Sequence, residues 1–196
     1  MNKAAICILT LFAAALCGGA PESGSAKDAA PRFTKDNELV RPADYREWIY
    51  LTSGLGMSYG PAAHETGDPP FDNVFVKPSA YRAFLETGKW PDKTMFVLEV
   101  RAAKQHGSIN QAGHFQSDLV AVEAAVKDES RFPDKWAYFG FGGPKDMRET
   151  AKAFPSNACH SCHSQNGAVE NTFVQFYPTL MPVAQAKGTV KASYRP

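Results

Sequence analysis

Five residues near the end of the chain, Cys159-His160-Ser161-Cys162-His163, constrain this protein more than any other part of its sequence. Two cysteines three positions apart, with a histidine directly after the second, suit three kinds of chemistry. They can ligate a structural zinc ion, form a redox-active dithiol, or attach a haem covalently to the chain. The remainder of the sequence distinguishes between these three interpretations.

The first residues have the layout of a secretory signal. Lys3 provides a short positive region, the 13 residues AAICILTLFAAAL carry no charge, and small and polar residues follow. The apolar run is too short to cross the ~30 Å hydrocarbon core of a bilayer, and it is apolar all round, unlike an amphipathic buried helix. We therefore predict a signal peptide over residues 1–26, cleaved near Ala26, and export to the periplasm. Leu16-Cys17 offers a less favoured alternative, a lipoprotein anchor, because the residues before this cysteine fit such a signal poorly.

Cysteine usage then favours one of the three interpretations. Cys7 and Cys17 lie in the predicted leader, so the mature chain keeps only Cys159 and Cys162. A structural zinc site needs four protein ligands, usually from two separated pairs, and no second pair exists. A thioredoxin-like dithiol opens a helix early in a βαβ unit, whereas this motif lies near the C-terminus among Pro, Ser, Asn and Gly. The sequence therefore predicts a haem c site.

The spacing of the motif has a mechanical reason. Cysteines three positions apart lie on one helical turn and can reach the two vinyl groups of one porphyrin to form thioethers. The next residue, His163, can then give the iron an axial nitrogen. We predict one covalent haem c held by Cys159 and Cys162, with His163 as axial iron ligand and His160 exposed without a ligand role.

The sequence does not specify a sixth iron ligand. Only 33 residues follow His163, and Met181 is the single methionine among them. The other candidates are more typical of core or surface positions: Met57, Met95, Met147, His64, His106 and His114. A five-coordinate or loosely ligated iron is the favoured interpretation, and such an iron binds small molecules.

Composition and charge limit the partners and the domain count. The chain has 196 residues with 44% hydrophobic residues, which suits one domain with a sizeable core. Its 21 basic and 20 acidic residues are mixed along the chain, so nucleic acid and acidic membrane surfaces are not indicated as partners. After the leader we predict a flexible segment over residues 27–40 and one haem domain over 41–196.

Local patterns predict an α+β fold, in which an antiparallel β-sheet dominates, several helices accompany it, and a C-terminal helix carries the haem. Amphipathic helix throughout, as in a four-helix cytochrome, is not the pattern here. Three helices are predicted before the motif, at Pro42–Leu51, Ser79–Thr87 and Asp146–Phe154. Four strands are predicted, at Asn73–Val76, Thr94–Arg101, Gly113–Val126 and Trp136–Phe141.

Read in order, these segments resemble the cytochrome P-460 / cytochrome c′-beta family. The resemblance runs from YREW through FDNVFVKPSAYRAFLETGKWPDKTMFVLEVR, VEAAVKDESRF and WAYFGF to CHSCH and FVQFYPTL, roughly residues 38–180. It implies a β-sheet-dominated monohaem c-type fold, usually a homodimer, with a distal pocket open to small nitrogen compounds. Typical activities in the family are hydroxylamine oxidation in the P-460 branch and nitric oxide binding in the c′-beta branch.

The resemblance also implies roles for individual positions. P-460 members carry a strand lysine cross-linked to the haem, and Leu98 occupies that position in this chain; leucine cannot form the bond. The distal carboxylate of the family corresponds to Glu123, which is a candidate proton relay on the same predicted strand face as Phe115 and Leu119. Phe96 and Phe115 are candidates to cap the distal face of the haem.

Three functions follow as expectations. The first is an exported haem c protein whose open iron binds nitric oxide or a related small nitrogen species. The second is a hydroxylamine (and nitric oxide) oxidoreductase that uses Glu123 as a proton relay and passes electrons to a c-type cytochrome. The third is a periplasmic electron carrier with Met or His as the sixth ligand.

Overall fold

The computed structural model describes residues 28–57 and 68–195, so the predicted leader and His64 lie outside the described residues. It confirms the α+β fold. Five antiparallel strands form the main sheet in the order β2-β3-β4-β5-β6, and β1 pairs with β7 in a separate small sheet. The strands are β1 (Leu39–Val40), β2 (Ile49–Leu55), β3 (Phe71–Val76), β4 (Met95–Lys104), β5 (Phe115–Lys127), β6 (Trp136–Gly142) and β7 (Thr150–Ala151). The helices are α1 (Pro78–Thr87), α2 (Ser156–Asn166) and α3 (Met181–Ala186).

The main sheet separates two apolar cores because alternate side chains of a strand point to opposite faces. On β4, Phe96 packs with the core on one face, while Met95 and Val97 pack with the core on the other. We call the first of these the haem face. Helices α1 and α3 cover part of this face through Phe84 and Ala184, both fully buried.

Helix α1 forms where the sequence predicts it and ends as expected. Pro78 stands at its first turn, and Gly88 adopts a left-handed conformation (φ 70°) as the C-cap. The Gly88 N–H donates to the carbonyl of Phe84, which satisfies one of the last carbonyls of the helix. The strands at β3, β4, β5 and β6 are likewise confirmed, each within a few residues of its predicted bounds.

Two predicted helices are wrong. In the segment Pro42–Leu51, only Tyr45–Glu47 form a turn of 3₁₀ helix, and the chain then enters β2. Pairing of β2 with β3 along the sheet outweighs the weak helical spacing of aromatic residues in this segment. The predicted helix Asp146–Phe154 instead contains β7, because Thr150 and Ala151 pair with Val40 and Leu39.

The last residues of the predicted flexible segment 27–40 contribute to the fold. Leu39 is fully buried in the core on the face opposite the haem face, and the ring of Phe33 packs against that same core. These two residues of the segment before the predicted domain are therefore part of the fold. Within the described residues no helix combines the length and apolarity needed to cross a membrane.

Candidate haem-binding site

An open cavity lies between the haem face of the sheet and the C-terminal segment. It holds about 1020 Å³ of atom-free space, including its mouth to solvent, and most of its wall is apolar. All five strands of the main sheet contribute side chains to its wall, among them Thr52 from β2, Asp72 and Val74 from β3, Phe96 and Leu98 from β4, Glu123 from β5, and Tyr138 from β6. A mainly apolar cavity with a few polar groups is what a bound cofactor requires.

Helix α2 carries the Cys-x-x-Cys-His motif on the other side of the cavity. Cys159 and His163 line the cavity, and Cys162 lies one turn from Cys159 on an exposed part of the helix. None of the 11 residues of this helix is buried. A helix of such polarity normally needs a partner that covers one side. A large apolar group filling the cavity would bury the face that carries Cys159 and His163.

His163 is held in an orientation suited to metal ligation. Its ring lies between the rings of Tyr138 and Phe173, with centroid separations of 4.3 Å and 4.4 Å. Nδ1 lies 3.0 Å from the backbone oxygen of Asn171, which can accept a hydrogen bond from Nδ1–H. With the proton assigned to Nδ1, Nε2 keeps the lone pair that an iron ion needs.

Electrostatics favour the same form of His163. Burial lowers the pKa of its imidazole, and the nearby His160 lowers it further, although the Asn171 carbonyl acts in the opposite direction. The neutral ring is therefore the dominant form at neutral pH. Because only neutral imidazole ligates a metal, the site is prepared for ligation without first losing a proton.

The loop after α2 supplies the carbonyl that orients His163. Gly167 begins this loop, and a Cβ at this position would lie 2.7 Å from the carbonyl oxygen of His163 and 2.8 Å from the backbone of Thr172. Only glycine allows the two backbone segments to approach so closely. The side chain of Asn171 also contacts Nε2 of His160 at 3.0 Å, so one residue links both histidines of the motif.

The thiols do not have the properties of a redox dithiol. Burial raises the pKa of the Cys159 thiol, and the charges of Glu123 and Cys162 raise it further. Reactive cysteines in such motifs have lowered pKa values, because the thiolate is the nucleophile. Within the part of the chain that the structure describes, no group of three or more His, Cys, Asp or Glu side chains could hold a metal ion. The zinc and dithiol interpretations thus gain no support from the geometry.

The structure brings Leu98 and Glu123 together on the sheet. Leu98 on β4 pairs with Val74 on β3 and with Glu123 on β5, and all three line the cavity. Burial is the main cause that raises the pKa of the Glu123 carboxyl, and the charge of Asp72 raises it further. A raised pKa makes this carboxyl a better proton acceptor than an ordinary glutamate.

Phe96 and Phe115 are placed differently. Phe96 lines the cavity, yet it is 5% exposed and packs against Trp90 and Tyr177, so it belongs to the floor of the site. Phe115, at the other end of β5, is 39% exposed and packs near Gly107. It is not among the described residues that line the cavity.

The expected shared face of Glu123, Phe115 and Leu119 is wrong. The pairing of β4 with β5 shifts register between Val100 and Arg101 and again before Ala103. Each extra residue reverses the alternation of side chains between the two faces. As a result, Leu119 packs against the core on the opposite side of the sheet from Glu123.

Sequence reasoning missed Asp72. It precedes the predicted strand Asn73–Val76, whereas the structure extends β3 back to Phe71 and turns Asp72 into the cavity beside Val74. Burial raises the pKa of its carboxyl. The signal was available in the sequence, because Asp72, Val74 and Val76 alternate with period two along the strand.

The candidate sixth ligands are dispersed. Met57 lines the cavity, Met95 and Met147 belong to the core on the opposite face, and Met181 packs at the edge of the haem-face core. His106 and His114 lie outside the cavity lining. Lysine is absent from the described lining, and the segment 58–67 contains none. Lys93 forms an ion pair with Asp128 instead, and Lys89 is exposed.

A comparison with known families agrees with this geometry. The model of the family described as Cytochrome P460 matches residues 42–174, more than half of the chain. The chain belongs to the cytochrome P460 family. No curated protein matches the chain at a significant level. Membership makes the chain a c-type cytochrome that binds haem c with its iron.

The residues of this P460 chain fit such a group. The cavity is apolar, His163 presents Nε2 on one side, and the described lining contains no lysine or arginine. The cysteines and His163 of α2 are the residues that would hold the haem. Haem iron supplies ligand binding and electron exchange, while the chain orients His163, shapes the cavity and places two carboxyls in it.

Proposed function

We propose that this chain is an exported monohaem c-type cytochrome whose distal cavity binds nitric oxide or a related small nitrogen species. In this proposal Cys159 and Cys162 form thioethers to one haem, and His163 binds the iron. The small ligand occupies the side of the cavity that the sheet forms. The single observation that carries the proposal is the largely apolar wall around Leu98, opposite His163.

Leu98 favours ligand binding over the chemistry of lysine-cross-linked members. An aliphatic side chain at the position of the cross-linking lysine leaves the haem periphery unmodified. The Leu98 and Val74 side chains, paired across β3 and β4, form an apolar surface that holds little water. Such a surface favours neutral diatomic ligands, because they lose little hydration on entry.

The absorption spectrum of the purified holoprotein tests this proposal. We expect an ordinary haem c spectrum of five-coordinate, high-spin iron that shifts on addition of nitric oxide, because Met57 is the one candidate sixth ligand among the described residues that line the cavity. A low-spin, six-coordinate ferrous spectrum that ignores nitric oxide would contradict it and would favour the electron carrier. In that case Met57→Leu would identify the internal ligand, with Met181→Leu as the matched control outside the cavity.

The altered ferrous spectrum of a lysine-cross-linked haem would be a different contradiction. It would show that Leu98 does not stand at the cross-linking position and that a lysine reaches the haem. Lys93 and Lys89 would then be the first candidates, because they precede β4 in the sequence. Their replacement by Arg, one at a time, would identify the bond.

We infer a second candidate function, hydroxylamine oxidation, from the position of Glu123. The carboxyl lines the cavity, and burial together with the charge of Asp72 raises its pKa. In this role Glu123 would accept protons released from the substrate, while electrons pass to an external c-type cytochrome. The observation favours a base that titrates closer to neutral pH than an ordinary glutamate does.

Glu123→Gln tests this second function. We expect hydroxylamine turnover to fall about a hundredfold, which is typical of the loss of a general base. The wild-type rate should rise with pH through the raised pKa of Glu123, and the variant should lose this rise. Asp118→Asn, on an exposed part of the same strand, is a suitable control. Unchanged turnover and an unchanged pH profile in Glu123→Gln would remove Glu123 from the mechanism.

Export and assembly are further parts of the proposal. The predicted signal peptide over residues 1–26 supports export to the periplasm, and a mature N-terminus near Lys27 is expected from mass spectrometry of the secreted protein. Resemblance to the family supports a homodimer. Size-exclusion chromatography with light scattering would give the mass of the particle in solution.

A further inference from the structure

The two carboxyls of the cavity stand on either side of β4. Asp72 lies on β3, which pairs with one edge of β4, and Glu123 lies on β5, which pairs with the other edge. Asp72 is aligned with Val100, and Glu123 with Leu98, two positions away on the same strand. Both side chains line the same cavity and flank the apolar surface of Leu98.

Neither carboxyl is paired with a basic side chain of the described residues. Arg46 and Arg101 pair with Glu99, which lies on the opposite face of the sheet. The described lining of the cavity contains no lysine or arginine. Asp72 and Glu123 are therefore the acidic groups of the described lining, with no basic side chain beside them there.

The two carboxyls interact across β4. Asp72 is half-buried and Glu123 is open to the cavity mouth, but partial desolvation raises the pKa of both carboxyls, and the charge of Asp72 raises that of Glu123 further. Two carboxyls in one poorly hydrated space resist full ionisation, but a cation or a hydrogen-bond donor between them relieves the repulsion. An anion in the same space increases it.

We propose that Asp72 is a specificity-determining residue of this cavity, acting with Glu123 to admit uncharged or cationic small nitrogen compounds and to disfavour anionic ones such as nitrite or azide. The inference rests on the proposed function, because it takes the cavity as the ligand side of the haem. It deepens that function by naming the charge class of the ligand. It also separates Asp72, which sets charge selectivity, from Glu123, which can additionally exchange protons.

Azide and nitric oxide are suitable probes, because one is an anion and the other is uncharged. Their dissociation constants are measured by absorption titration of the purified holoprotein, with azide on the ferric form and nitric oxide on the ferrous form. In Asp72→Asn we expect the affinity for azide to rise about tenfold relative to that for nitric oxide, because one half-buried negative charge of the cavity wall is removed. Glu123→Gln should shift the same ratio in the same direction.

The double variant and a surface control sharpen the result. Asp72→Asn/Glu123→Gln should change the ratio by more than the product of the single changes, because removal of one carboxyl lets the other ionise more fully and partly conceals its loss. Asp118→Asn removes one charge from a residue whose side chain is 85% exposed, and it should leave the ratio unchanged. These neutral amide replacements preserve side-chain size and therefore the shape of the cavity.

The possible outcomes separate the two proposals. If wild-type holoprotein shows no spectral response to nitric oxide, the proposed ligand-binding function fails. If nitric oxide binds but the ratio is unchanged in both Asp72→Asn and Glu123→Gln, the specificity inference alone is overturned. An equal change in Asp118→Asn would also overturn it, because net charge of the whole protein would then explain the effect. If Asp72→Asn does not fold, Asp72→Ser provides the same comparison with a smaller side chain.

Discussion

Replacing both Cys159 and Cys162 with alanine is expected to abolish covalent attachment of haem. The proposed thioethers need the two sulfur atoms on one helical turn, and Cys7 and Cys17, the other cysteines of the sequence, lie in the proposed leader. The measurement is haem-dependent peroxidase staining after denaturing electrophoresis, from cells that mature c-type cytochromes. We expect nearly complete loss in the double variant, and each single variant should keep one bond at reduced yield.

Neighbouring polar positions on α2 provide the matched controls. His160→Ala and Ser161→Ala change side chains of the same helical turn and should keep covalent haem, because neither supplies a thioether or lines the cavity. Haem that remains with denatured Cys159→Ala/Cys162→Ala would contradict the attachment and with it the proposed function. Loss of haem in Ser161→Ala would point to a folding defect of α2 instead.

Replacing Trp90 with alanine is expected to lower the free energy of unfolding by about 3–5 kcal/mol, the usual cost of truncating a large buried aromatic residue. Trp90 is 1% exposed and packs against Phe84 and Phe96 at centroid separations of 4.2 Å and 4.7 Å. Its Nε1–H donates to Oγ1 of Thr172 at 2.9 Å. Urea unfolding followed by far-ultraviolet circular dichroism provides the measurement.

The hydrogen bond connects this core to the loop that orients His163. Thr172→Val keeps the shape of the side chain and removes the acceptor, so it should cost about 1–3 kcal/mol by leaving the indole N–H unpaired. Leu85 on α1 is 40% exposed, so Leu85→Ala serves as the surface control. It should change the free energy of unfolding by less than about 1 kcal/mol. If Trp90→Ala lowers the free energy of unfolding by less than Leu85→Ala does, the assignment of Trp90 to the core is contradicted.

Much of the fold follows from local patterns. The strands around Phe96, Glu123 and Phe139 are long and rich in β-branched and aromatic residues, so their existence could be predicted. Helix α1, with proline at its start and glycine after its end, was equally accessible. The segments around Trp48 and Thr150 were not, because their extended conformations come from pairing with strands distant in sequence.

The candidate site divides in the same way. Cys159, Cys162 and His163 lie within five residues of the sequence, so one helical turn brings them together. The motif and the cysteine usage of the rest of the sequence together predict a haem c. The wall of the cavity is formed by strands that lie tens of residues apart in the sequence. Only the resemblance to the family placed Glu123 in the cavity wall. Phe115 was also expected in that wall, but the structure places it near Gly107.

The sequence by itself determined the motif on which the proposed attachment depends: a late Cys-x-x-Cys-His segment, with the other two cysteines in a predicted leader and a leucine at position 98. Only the tertiary structure decided which side chains line the cavity. One register shift between β4 and β5, at Val100 and Arg101, separates Leu119 from Glu123, and the pairing of β3 with β4 adds Asp72 to the same cavity. Register depends on hydrogen bonds between distant strands, and a one-residue shift moves a side chain to the other face.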